Sequence, residues 1–266
     1  MTTHWSHYAS HWQQLGPPLR PQAAVIECVN SLIGPSDARC LLLGATVEYA
    51  ERRPGIVAMD ATLPMLAAIW RGSDPSRAAI QADWTRMPVG PHTFSHVLCD
   101  GSLNAVPTSQ LSVVLRELQR ILVPDGTLIA RVFCRPEDAE SMAMIERDVL
   151  ARAVGSFHAL KWRVAMSAIC SPASPDIAVP AIREAMNKQF PDREALCRAT
   201  GWSRAEVDTI DVYEGSSAVY NFSTETAIAA LLKKHFVTVE IIRCGSYALA
   251  ERCPLFVARS PLQAGE

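Results

Sequence analysis

The sequence predicts an α/β fold built on one mostly parallel sheet, interrupted by a helical insertion. Three observations predict it. Short, continuous apolar runs recur through the first half of the chain, with apolar residues at helical spacing between them. Several of these runs stop at a glycine or an acid, as buried strands do when they reach the edge of a sheet. The last two runs lie only about ten residues apart, too close for a helical crossover, so they pair antiparallel.

Arg39–Ala45 (RCLLLGA) is the first strand and closes on a glycine. Gly55–Asp60 (GIVAMD) is the second and ends on an acid; Ala78–Asp83 (AAIQAD) is a weaker third. Ser95–Asp100 (SHVLCD) and Gly126–Phe133 (GTLIARVF) are the fourth and fifth. Helices are expected over Leu63–Trp70 and Ser109–Leu122. The second of these carries Leu111, Val114, Leu115, Leu118, Ile121 and Leu122 on one side. Pro124-Asp125-Gly126 supplies the turn into the fifth strand. A helix over Thr226–Lys234 then leads to the closing strands Val237–Cys244 and Pro254–Arg259.

Between Arg135 and Phe222 the alternation stops. Helical pieces are expected at Ala139–Ala153, Ser156–Ile169, Val179–Gln189 and Arg193–Thr200, broken at Ser171–Pro175. The expected organisation is an N-terminal helical cap over 1–36, a core over 37–134 and 223–262, and a helical lid over 135–222.

Composition narrows the function classes. With 49% hydrophobic and 20% charged residues, the 266-residue chain reads as globular. Its net charge is −2, and the lid carries ten Lys and Arg against thirteen Asp and Glu, a net of −3. Neither makes a basic stripe, which disfavours a nucleic-acid partner. No apolar run is long enough for a membrane span, and residues 1–19 lack the apolar stretch of a signal peptide. The eight cysteines form no CxxC pair and read as reduced thiols of a cytoplasmic protein, not as a disulfide or zinc framework.

In an open parallel sheet, ligands bind beyond the carboxyl ends of the strands. The residues there are Gly44-Ala45-Thr46, Asp60, Asp83-Trp84 and Asp100-Gly101-Ser102-Leu103-Asn104. Gly44 lets backbone approach a ligand or turn tightly. Asp60 can accept two hydrogen bonds from a ribose diol, or cap the helix that follows. Asp83 can accept from an adenine amino group while Trp84 stacks on the ring or packs in the core.

The text LLLGATVEYA (41–50), IVAMDATLPML (56–66), IQADWTRMPV (80–89), FSHVLCDGSLNAVP (94–107) and LQRILVPDGTLIARVF (118–133) resembles the class I S-adenosylmethionine-dependent methyltransferases. The resemblance covers about half the chain. It implies a Rossmann-like, seven-stranded, mostly parallel sheet with an antiparallel last strand, and S-adenosyl-L-methionine as cofactor. On that resemblance Gly44, Ala45 and Thr46 lie near the methionine part, Asp60 holds the ribose, and Asp83 and Trp84 hold adenine. Asp100, Gly101 and Ser102 face the methionine moiety and the transferred methyl. Thr46 and Glu48 stand where the family's loop usually has its second and third glycines, which sets Glu48 near a carboxylate-bearing cofactor.

The N-terminal segment offers a second element. At helical spacing His4, His7 and His11 share a face, and Trp5, Tyr8 and Trp12 share the adjacent one. A docking stripe, a cap over the pocket with Arg20 pointing inward, and a metal site are the alternatives; no metal is expected. Tyr213, Tyr220 and Phe222 stand at the lid's return to the core. Substrate contacts are expected from Tyr8, Arg20, Asn104 and Tyr220, and a base, if one is used, from His7 or Tyr220; His96 lies within a strand. The expected function is methyl transfer to a small-molecule acceptor. The alternatives are a catalytically silent cofactor- or partner-binding protein of the same fold, a dinucleotide oxidoreductase and a nucleic-acid methyltransferase.

Overall fold

A computed structural model of the chain describes residues 4–34, 38–72, 74–169 and 174–262. Cys170 and the first three residues of the expected Ser171–Pro175 break lie outside the described residues. Among the described residues, seven strands make one sheet: β1 (Cys40–Leu43), β2 (Val57–Asp60), β3 (Ala79–Gln81), β4 (Phe94–Asp100), β5 (Leu122–Arg131), β8 (Phe236–Ile242) and β9 (Leu255–Pro261). Their order is β3-β2-β1-β4-β5-β9-β8. β1 to β5 run parallel, and β9 slots antiparallel between β5 and β8. Two further strands, β6 (Asp176–Ala178) and β7 (Val219–Asn221), form a separate antiparallel ribbon.

The sheet is covered on both faces, which is why its strands read as unbroken apolar runs. Successive residues of β1 alternate between two cores: Cys40 and Leu42 pack in one, Leu41 and Leu43 in the other. The first core receives the helix Ala23–Ile33, through Val25, Ile26, Val29 and Ile33, and most of the insertion. The second receives the helix Thr108–Ile121 through Leu111, Val114, Leu115, Leu118 and Ile121, and the helix Glu225–Leu232 through Ile228 and Leu232. The turn at Pro124-Asp125-Gly126 survives as an irregularity within β5. Its pairing with β4 jumps from Phe94↔Leu122 to His96↔Thr127, and a Cβ on Gly126 would sit 2.8 Å from the Val123 carbonyl oxygen.

Three expectations are corrected. The N-terminal face does not continue as one helix: an α-turn over Trp5–Tyr8 passes into a 3₁₀ stretch over Ala9–Gln14. The expected shared histidine face does not form: His4 is buried and His7 exposed across the α-turn, and His11, in the 3₁₀ stretch, is half-buried. The insertion is not purely helical, because residues 219–221 pair as a strand with 176–178. Its helix Phe157–Ser167 is also no amphipathic lid element: every residue from Phe157 to Met166 is buried. Among the described residues no helix is long and apolar enough to cross a membrane.

Two asparagines bind the ribbon to the sheet. Asn104 Nδ2 donates to the carbonyls of Phe133 (2.9 Å) and Asn221 (2.8 Å), and its Oδ1 accepts from the Phe133 N–H (2.9 Å). Asn221 Nδ2 donates to the carbonyls of Leu103 and Val106. Both side chains are buried, so each lost bond strands a backbone group without water. Asn104→Ala is expected to lower the unfolding free energy by roughly 1–3 kcal/mol. A fall in the urea midpoint at unchanged slope would show this, and an unchanged midpoint would refute the clamp.

Candidate active site

The order of strands reverses between β1 and β4, and a cavity of about 390 Å³ opens there at their carboxyl ends. Its floor brings together Gly44, Ala45, Thr46, Asp60, Asp83, Trp84, Asp100, Gly101 and Ser102, the nine strand-end residues that the resemblance assigns to the cofactor. Its roof comes from two distant segments: Trp5, Tyr8, Trp12, Leu15, Leu19 and Arg20 of the N-terminus, and Trp162 with Ser217–Tyr220 and Phe222 of the insertion.

Each floor residue is held by its strand. Gly44 has φ +104°, in the region that favours glycine, and its N–H donates to the Met59 carbonyl at 2.8 Å. A Cβ there would meet Ser102 Oγ at 3.6 Å and otherwise open cavity. Ser102 Oγ itself donates to the Leu43 carbonyl. Gly101 has φ +71°, and a Cβ would press to 2.7 Å from the Phe133 ring. Asp60 Oδ1 accepts from the Thr62 N–H at 2.6 Å. This is a local turn, not a cap, since the helix N-cap is Thr62. Burial pushes the Asp60 carboxyl up, and the Thr62 hydrogen bond opposes that shift. Trp84 is half-buried, with Nε1 donating to the Met59 carbonyl at 2.9 Å, and exposed Asp83 accepts from the Thr85 N–H and hydroxyl.

Asp100 is the most constrained of the floor residues. Its carboxylate forms an ion pair with Arg131, and both side chains are shut from water. Burial opposes the Arg131 charge, but Asp100 beside it outweighs that and holds the guanidinium firmly protonated. Arg131 also donates to the carbonyl of Pro18 (2.9 Å) and to Tyr247 Oη (3.2 Å). Among the described residues Asp100 Oδ2 nevertheless has no hydrogen-bond partner, and neither has Glu48 Oε2.

Glu48, which stands in the glycine loop, is neutralised by Arg20: the two form an ion pair, and the Arg20 guanidinium lies 5.0 Å from the Trp12 ring centroid. The charge that would oppose an anionic ligand is thereby offset from the N-terminal segment.

Of the residues expected to meet a substrate, Tyr8, Arg20, Asn104 and Tyr220 all line the cavity. The Asn104 amide is consumed by its backbone bonds, so it offers surface and not a free polar group. His7 is a correction: it is exposed and outside the cavity wall. The buried histidine of the N-terminal segment is His4, whose Nε2 lies 2.6 Å from Tyr220 Oη and whose Nδ1 lies 3.0 Å from Ser216 Oγ. His96 pairs with Ser95 at the other end of β4, away from the cavity. Among the described residues no group of His, Cys, Asp and Glu could hold a metal ion. Sequence reasoning missed Lys161 and Arg131. Neither stands at a strand-end acid or in a glycine loop, although a Lys in the mostly apolar stretch FHALKWRVAM (157–166) is itself a signal.

Residues 40–130 match the family model for a methyltransferase domain. No curated protein matches the chain. Among solved structures, the fold is similar to a protein from Rhodobacter sphaeroides provisionally described as a Zn-dependent alcohol dehydrogenase. That match has 17% identity, coverage of 97% of this chain and 99% of that one, and a TM-score of 0.60. It is also similar to the Burkholderia thailandensis 1,6-didemethyltoxoflavin-N1-methyltransferase, solved with 1,6-didemethyltoxoflavin and S-adenosylhomocysteine, at 15% identity, 96% and 83% coverage and TM-score 0.52. A SAM-dependent methyltransferase from Thermotoga maritima matches at 12% identity, 97% and 98% coverage and TM-score 0.54. At these identities the likeness is one of fold.

Arg131→Met leaves the Asp100 charge buried without its partner and is expected to cost about 3–5 kcal/mol of stability. Adding Asp100→Leu should recover most of that loss in the same urea titration; no recovery would mean that the pair is not the cause.

Proposed function

We propose that this chain, a class I S-adenosylmethionine-dependent methyltransferase, moves the methyl group of S-adenosylmethionine to a small-molecule acceptor held under the roof of the cavity. The observation that carries the reading is the set of strand-end groups that open on one cavity within the matched domain. They fit the cofactor. The Gly44 turn lets backbone approach a ligand, and Asp60 presents a carboxylate to a diol. Asp100 Oδ2 is a buried acceptor that no group among the described residues satisfies, suited to an ammonium.

In this reading Asp60 holds the ribose hydroxyls, Asp83 and Trp84 the adenine, and Gly44 to Thr46 with Asp100 to Ser102 the amino-acid end. When bound, the cofactor supplies an already activated methyl on a sulfonium. The chain's task is then to orient the acceptor and exclude water, and most of the rate comes from positioning. The roof supplies that: Trp5, Trp12, Trp162 and Phe222 give it flat apolar surface. The enclosed volume suits a small molecule, since about 390 Å³ also has to take the cofactor.

Calorimetric titration with S-adenosylmethionine and S-adenosylhomocysteine tests the reading, and absence of binding by the folded chain refutes it. Asp60→Ala is expected to weaken binding about ten- to a hundredfold, from the loss of hydrogen bonds to a charged acceptor. An unchanged dissociation constant would remove the ribose assignment. Gly44→Val forces a β-branched residue to φ +104° and fills the cavity floor. It should abolish measurable cofactor binding, and wild-type affinity in that variant would place the amino-acid end elsewhere.

A further inference from the structure

Behind the roof lies a lysine that no carboxylate of the described residues offsets. Lys161, in the middle of the helix Phe157–Ser167, is wholly excluded from water. Its Nζ is 3.0 Å from Tyr8 Oη. It also lies 4.9 Å from the ring centroid of Tyr213, 5.2 Å from that of Trp162 and 5.5 Å from that of Tyr8. Aromatic faces stabilise an ammonium only in part, and burial pushes Lys161 down to about 7. The titratable groups that face it are His4 and Tyr8 of the N-terminal segment, Tyr213 of the Thr209–Tyr213 turn, and His158 of its own helix. Burial first, and then the Lys161 charge, pushes both histidines down to about 3. Burial raises both tyrosines. Lys161 is thus the member of the cluster that exchanges its proton near neutrality.

Tyr8 connects this lysine to the cavity: it lines the wall, while Lys161 stands behind it. The acids of the wall, Asp60, Asp83 and Asp100, all belong to the strand ends, and none lies on the roof. A cationic acceptor would meet no counter-charge there, whereas a flat neutral ring would meet Trp5, Trp12, Trp162 and Phe222. An amine acceptor already offers a lone pair; a hydroxyl acceptor must give up a proton.

We propose that the acceptor is a planar aromatic hydroxyl compound whose proton is relayed through Tyr8 to Lys161, an inference that rests on the methyltransferase reading. Neutral Lys161 Nζ takes the Tyr8 proton as Tyr8 Oη takes the acceptor's. The acceptor oxygen bonds to the methyl carbon while the carbon–sulfur bond breaks, its electron pair remaining on sulfur. The products are an aryl methyl ether, S-adenosylhomocysteine and the Lys161 ammonium, so the positive charge of the sulfonium ends on the lysine.

The test uses the full chain with 4-nitrophenol as probe, whose phenolate is read by its absorbance. With S-adenosylhomocysteine present, the wild type should bind the probe and ionise it at a lower pH than water does. Lys161→Met should remove that shift while S-adenosylhomocysteine affinity, the check on folding, stays within about twofold. With S-adenosylmethionine, turnover of the probe should rise with pH through about 7, because the neutral amine is the acceptor. Lys161→Arg, which cannot give up its proton, and Tyr8→Phe should each lose roughly a hundredfold in kcat near neutrality, with KM little changed. Three results would overturn the proposal: no binding of 4-nitrophenol, an unchanged ionisation shift in Lys161→Met, or full turnover in Lys161→Arg. Failure of the wild type to bind S-adenosylhomocysteine would instead strike the methyltransferase reading itself.

Discussion

The buried ion pair between Arg131 and Asp100 is the constraint around which the site is arranged. It joins the carboxyl ends of β4 and β5, the two strands on one side of the switch point. The same guanidinium donates to the Pro18 carbonyl and to Tyr247, and lies 5.3 Å from the centroid of the Phe133 ring. One side chain therefore fixes the sheet end, the N-terminal segment and the loop before β9 relative to each other. Desolvating two charges is expensive, and a well-packed apolar pair would serve stability as well or better. What the pair adds is direction: five donors in a rigid plane hold three chain segments at set angles. With Pro18 fixed, Arg20 two residues later reaches Glu48.

The roof follows from that anchoring. The N-terminal segment and the insertion are far apart in sequence, yet polar bonds join them along their length. His158 Nε2 lies 2.8 Å from the Gln14 carbonyl oxygen, Ser156 Oγ donates to the Pro17 carbonyl, and His4 bonds both Ser216 and Tyr220. Edge-on ring contacts fill the space between these bonds, with His4, Tyr8 and Tyr213 meeting at centroid distances of 5.0–6.0 Å. The segments expected as a separate cap and lid thus pack as one layer, with the wholly buried helix Phe157–Ser167 as its centre.

The sheet was legible because its physics is local. A strand buried on both faces must be apolar at every position, and the chain must turn polar where it leaves the sheet, so LLLG, VAMD and LCDG mark both strand and site. The roof was not legible for the opposite reason. Lys161 is tolerated by residues 153 positions before it and 52 after it, and nothing in its own helix reveals them. Glu48 reads as a repulsive charge until Arg20, 28 residues upstream, is brought against it. Asn104 reads as a polar group available to a ligand until the Phe133 backbone takes it. His11 shares a face with His4 only if the segment stays α-helical, and the 3₁₀ stretch from Ala9 breaks that register.

The cavity is electrostatically divided, and the division explains its shape. Negative charge sits on the floor at Asp60 and Asp83, while Asp100 is paired with Arg131 and Glu48, beyond the floor, is paired with Arg20. The roof contributes ring faces and, behind them, histidines that burial keeps neutral. A ligand that carries positive charge at one end is therefore drawn to the strand ends, and apolar surface is left for a neutral partner above it. Asp100 Oδ2 and Glu48 Oε2 are acceptors that the described residues leave unsatisfied, at a cost of about 1–3 kcal/mol each. A cationic donor that reaches Asp100 Oδ2 recovers part of that cost. Asp100 is tied through Arg131 to Pro18, so the floor and the N-terminal half of the roof share one buried polar anchor.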